Sequence, residues 1–168
     1  MANGKGIRSP EELFRKAVGA NSFISTFILG HLWIEYLLVQ IVKVASPKLG
    51  EFSEGLNHAK LIELVEGLGL LNKHEVETLT LINKMRNKLA HNIAYEPSIQ
   101  EYKNLVSNAK KSFSDMTDGL QQSLDELDGK NKLEECEEYI FSELFMQIAY
   151  DLESIYTEHG GEIDSFTE

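Results

Sequence analysis

Arg86, Asn87 and His91 are the residues in this chain whose types and spacing could do chemistry on a phosphate group. A guanidinium offers paired donors to phosphate oxygens and an imidazole can shuttle a proton near neutral pH, so a pocket holding both together with an asparagine can bind a phosphate group. All three sit in the run Met85-Arg86-Asn87-Lys88-Leu89-Ala90-His91-Asn92. Read from His74 to Asn92 as a helix advancing about 100° per residue, this segment carries an apolar stripe of Val76, Leu79, Ile82, Leu89 and Ile93, and Arg86 projects from the middle of it. An arginine cannot shed its proton to escape burial, so it needs an anionic or hydrogen-bonding partner. His91 falls about 140° further around the same helix, in its expected last turn, with Asn87 between the two.

The partner expected for Arg86 is Glu35. Within the run from Phe23 to Val42 it is the lone residue with a formal charge, and an Arg86–Glu35 ion pair would satisfy both orphans if the two helices pack together. His31 lies four residues earlier and shares the face of Glu35, which brings an imidazole toward the same polar pocket. His31 and Glu35 could form half of a metal site. No second pair of ligands follows at suitable spacing, so no metal and no cofactor is expected.

The elements that must position these residues read as helices. Ser9-Pro10-Glu11-Glu12 has the cap, the first-turn proline and the acids of a helix start, leaving residues 1–8 as a loose arm. Phe23 to Val42 is apolar almost all round, as in a buried helix or a membrane span. Glu35 near its centre would be costly in lipid, so the expectation is the central helix of a bundle, serving a dimer interface as well. Ser46-Pro47 and the glycines at 50 and 55 predict a loop over 46–56, and a short amphipathic helix follows from Asn57 to Glu66, stopped by Gly67 and Gly69. After the Arg86 helix, Glu96-Pro97 opens a long helix whose apolar residues recur at three and four from Ile99 to Leu127. Asp128-Gly129-Lys130-Asn131 reads as a turn, and a final helix from Leu133 to Ile155 ends at His159-Gly160-Gly161. The expected architecture is all-α: a single up-and-down bundle of about five helices over residues 9–159, with an acidic tail at 160–168. His58, His74 and His159, near expected helix ends, are read as facing solvent, Cys136 as a buried small hydrophobe, and Glu134 to Glu138 as a solvated first turn.

Composition narrows the function. A chain of 168 residues with three prolines and twelve glycines has room for long helices and little for a many-turned β fold. The net charge of −11 argues against a broad electrostatic grip on nucleic acid, so any RNA-directed role must rest on a local basic cleft or a transient encounter. The single cysteine excludes a disulfide framework, and the first nine residues lack the apolar core of a signal peptide; a cytoplasmic protein away from the membrane is the expectation.

The segment Arg86-Asn87-Lys88-Leu89-Ala90-His91 resembles the signature of the HEPN superfamily (higher eukaryotes and prokaryotes nucleotide-binding domains), with four residues between arginine and histidine and an asparagine after the arginine. The resemblance implies a HEPN-like helical bundle, commonly a homodimer, and a metal-independent endoribonuclease in a toxin-antitoxin or antiviral setting, with an antitoxin or regulatory protein as a partner. It further implies that the arginine and histidine of two protomers converge on the scissile phosphate while an RNA 2′-hydroxyl attacks. Arg86 would then stabilise phosphate charge, His91 would transfer or orient a proton, Asn87 would shape the pocket, and Glu35 would support the arginine. One toxin subgroup has a tyrosine two residues after the histidine, where this chain has Ile93. The chain is also similar to mannitol repressor-like proteins in size, helical order and the Gly-Leu-Gly-Leu-Leu segment at 67–71. That similarity implies instead a non-enzymatic regulator or interaction module.

Overall fold

The computed structural model describes residues 22–163, and within them the fold is an all-α bundle. The arm over residues 1–8 and the helix start at Ser9 lie outside the described residues, as does the end of the acidic tail. Seven α-helices are described: α1 Ser22–Ala45, α2 Pro47–Glu54, α3 His58–Gly67, α4 Lys73–His91, α5 Ile99–Ser112, α6 Gly119–Leu127 and α7 Tyr139–Glu158. Each helix from α3 to α7 packs against the next, and α7 closes the bundle along α1, which also touches α2, α3 and α4.

Helix α1 is therefore the centre of the assembly, but it is not buried all round. Phe27, Ile34, Leu37, Leu38, Ile41 and Val42 are sealed in the core, whereas Leu29 is 67 % exposed and Leu32, Trp33 and Tyr36 are exposed beside it. By length and composition alone Phe23–Ala45 could cross a membrane. In this fold its inner face packs on four other helices and carries the buried imidazole of His31. The contact with α7 is so close at Gly30 that a Cβ there would lie 2.2 Å from Cγ of Phe145, near the root of a ring that cannot swing aside. Gly30→Ala should consequently destabilise the protein by about 1–3 kcal/mol of overpacking, less the ~1 kcal/mol that alanine gains in helix propensity. A lowered melting temperature checks this; a raised one would contradict the close approach. Phe23, Phe27, Tyr102, Phe141 and Phe145 extend the same interface as a set of tilted and edge-on rings, and the Tyr102 hydroxyl donates to the Ile140 carbonyl at 3.0 Å.

Three sequence expectations about element boundaries are corrected. Residues 47–54 are helical, not loop: Pro47 occupies the first helical position and Gly50 is buried where α2 lies on Lys43 of α1. The long helix expected through Leu127 is two helices. Asp115 and Asp118 both take left-handed backbone, and the Asp115 carboxylate accepts the Leu120 and Gln121 amides at 2.7 and 3.1 Å, so it caps α6 while α5 ends at Ser112. The apolar spacing runs through this break in register, which hides it; Met116, expected in the stripe, is exposed. The final helix begins at Tyr139, because Leu133–Glu135 forms a separate 3-10 turn and Glu137 gives its amide to the Glu126 carboxylate at 3.0 Å. Cys136 at that turn is half-buried, and burial together with the Glu126 carboxylate raises its thiol pKa above the ordinary value, with Lys130 opposing.

Candidate functional site

Helix α4 presents the predicted site residues. Its start is fixed by a capping box, in which the Asn72 side chain accepts the Glu75 amide at 3.1 Å and the Glu75 carboxylate accepts the Asn72 amide at 2.7 Å. Val76, Thr78, Leu79, Ile82 and Met85 then bury its inner face, which leaves Arg86 half-buried at the edge of the core and Asn87 and His91 exposed. Between Glu77 and Glu96 the chain carries Lys84, Arg86 and Lys88 and no acid, so the C-terminal half of α4 is a basic segment in an acidic protein. Lys88 is partly offset by Glu101, 3.5 Å away. Lys84, Asn87 and Lys88 are among the residues lining an open groove of about 730 Å³ between α4 and α5, together with Glu101 and apolar side chains such as Leu81, Met85 and Leu105.

The expected Arg86–Glu35 ion pair is not formed. Glu35 is taken instead by His58, whose Nδ1 lies 3.2 Å from Oε2, and Arg86 donates from a terminal guanidinium nitrogen to Oδ1 of its neighbour Asn87 at 3.1 Å. The Nε–H of Arg86 is buried without a hydrogen-bond partner. His31 lies beside the Glu35–His58 pair: its ring centroid is 4.0 Å from that of His58 with the two planes tilted by 32°, and its Nε2 meets Oδ1 of Asn83 at 3.3 Å. Arg86 stands close enough for its charge to be felt by both rings. His31 is pushed down to about 4, chiefly by burial and then by His58, with the Asn83 hydrogen bond opposing, Arg86 adding to the lowering and Glu35 opposing least; His58 reaches about 4 through burial and Arg86. Both imidazoles are therefore neutral at pH 7.

His58 is the residue that sequence reading placed wrongly. It is 5 % exposed. The signal was present: His58 stands three, four and seven residues before Leu61, Ile62 and Val65, the buried stripe of α3, and so belongs to that stripe. Its position at a helix start masked this, since Asn57 supplies the cap by accepting the Lys60 amide at 3.0 Å and leaves His58 free to turn inward. His74 and His159, by contrast, are exposed as expected.

His91 stands five positions after Arg86, about 7.5 Å along the helix and about 140° around it. Within one chain Arg86 leans toward the His31–His58 pair while His91 faces solvent at the helix end. No family model, curated protein or solved structure matches the chain.

Proposed function

We propose that this protein is a HEPN-like, metal-independent endoribonuclease that acts as a homodimer in a toxin-antitoxin or antiviral setting. The observation that carries the reading is the placement of Arg86, Asn87 and His91 on one basic, acid-free half of α4, with His91 exposed and the Arg86 guanidinium oriented by Asn87. Arg86 would hold the phosphate and stabilise charge as the 2′-hydroxyl attacks, and His91 would move the proton. The angular separation of these two residues favours a composite site completed by a second copy. The exposed stripe of Leu29, Leu32, Trp33 and Tyr36 on α1 supports the dimer, since large apolar side chains clustered at a surface mark association sites.

Two measurements test the reading. Purified protein should cleave RNA in EDTA and leave 2′,3′-cyclic phosphate ends, and cleavage that stops on chelation would contradict it. Leu32→Glu should shift the sedimentation of the protein from dimer to monomer, and a wild-type monomer at micromolar concentration would refute the composite site. A second reading, a non-enzymatic mannitol repressor-like regulator, is favoured by the charge of −11. It predicts no cleavage under any condition and a structural role for Arg86.

A further inference from the structure

We propose that His31 and His58, with Glu35 behind His58, form a binding site for a single borderline divalent transition-metal ion such as Zn²⁺, built between α1 and α3. The three side chains offer ligand atoms that all lie within 4.8 Å of one another. More specific is the disposition of the ring protons. The Glu35 carboxylate has no proton to give, so His58 must donate from Nδ1, and its Nε2 is left as a bare lone pair. The amide oxygen of Asn83 likewise faces Nε2 of His31, which leaves Nδ1 of that ring as the lone pair. These two nitrogens, His31 Nδ1 and His58 Nε2, are, with Nε of Arg86, the buried side-chain atoms without a hydrogen-bond partner among the described residues. His31 is 2 % and His58 5 % exposed, so the unused acceptors cannot be satisfied by bulk water.

Paired, neutral imidazole lone pairs, each with its other nitrogen donating outward to a carboxylate or amide oxygen, reproduce the arrangement by which proteins orient histidine ligands to a metal. An ion at about 2.0–2.1 Å from each nitrogen would use both orphaned acceptors. Glu35 supplies negative charge behind His58 by accepting its Nδ1–H and polarising the ring, and solvent or an anionic ligand completes the coordination. Two imidazole nitrogens, one of them backed by a carboxylate, suit zinc, nickel or cobalt and disfavour magnesium and calcium, which take oxygen ligands. The guanidinium of Arg86 opposes a bare cation here, and the same guanidinium favours an anion as the remaining ligand. The site goes beyond the proposed function, and cleavage measured in EDTA tests that reading without touching this one.

The experiment is titration of tag-free, chelator-stripped protein with zinc chloride, followed by calorimetry and by the ¹⁵N shifts of the histidine rings. The expected result is one equivalent per chain, with the large coordination shift confined to Nδ1 of His31 and Nε2 of His58. His31→Ala and His58→Ala should each weaken binding at least tenfold, and Asn83→Ala about tenfold through loss of ring orientation. No stoichiometric binding by the wild type, or coordination shifts at His74, His91 or His159 instead, would overturn the assignment. The wild-type ring shifts decide the matter even where an alanine variant fails to fold.

Discussion

Arg86→Ala should lower RNA cleavage by about 10²–10³-fold, the usual loss when a charge-stabilising donor is removed from a transition state, and His91→Ala by about 10²–10⁴-fold, as for loss of a general acid or base. Neither change should unfold the protein. Arg86 is not tied into a buried ion pair: its one hydrogen bond goes to exposed Asn87, and its Nε–H has no partner to lose. His91 is exposed at the end of α4. Melting temperatures of both variants within a few degrees of wild type, beside near-complete loss of cleavage, would separate a catalytic role from a scaffolding one. Arg86→Lys should recover little, because a lysine keeps the charge without the paired donors that match phosphate geometry. If Arg86→Ala loses many degrees and there is no cleavage to lose, the regulator reading is favoured.

Acidification should destabilise the metal-free protein steeply between pH 6.5 and about 4. Both His31 and His58 titrate at about 4 in the folded state against 6.5 for an unburied ring. In that window the unfolded chain binds more protons than the native one, so unfolding free energy falls as pH falls and is restored as pH rises. A full pKa unit corresponds to about 1.4 kcal/mol, and with two coupled rings and some water penetration the loss is on the order of a few kcal/mol. That is a large share of the ~5–15 kcal/mol that ordinarily holds a domain together. The net charge of −11 works the other way, since protonating surface carboxylates relieves repulsion. The control is therefore a His31→Gln/His58→Gln variant, which should lose the acid-sensitive step while keeping the broad background. Denaturant midpoints measured in EDTA across this range check it, and parallel profiles for the two proteins would contradict the neutral, buried pair.

The fold class and most helix positions were legible because burial enforces a 3.6-residue period. The stop of the short helix at Gly67 and Gly69, the latter with a φ of +69°, followed from local chemistry, whereas the Asn57 and Asn72 caps were not read. What was hidden arose where local signals point two ways. Pro47 and Gly50 read as loop formers, but one suits a first helical position and the other permits close packing. The break between α5 and α6 kept the apolar spacing, so periodicity passed through it. At the site, two isolated charges of opposite sign, Glu35 and Arg86, invited pairing, and the structure does not pair them. The partner of Glu35 was His58, because a residue 23 positions away on another helix comes near only through the packing of α3 on α1. Sequence spacing carried no information about that contact.

The central claim is that α4 carries a ribonuclease site, and the most direct test is a single experiment: labelled RNA incubated in EDTA with wild type, Arg86→Ala and His91→Ala side by side. The account predicts cyclic-phosphate products from the wild type and at least hundredfold less from either variant. Equal cleavage by all three, or none by a folded wild-type dimer, would contradict it.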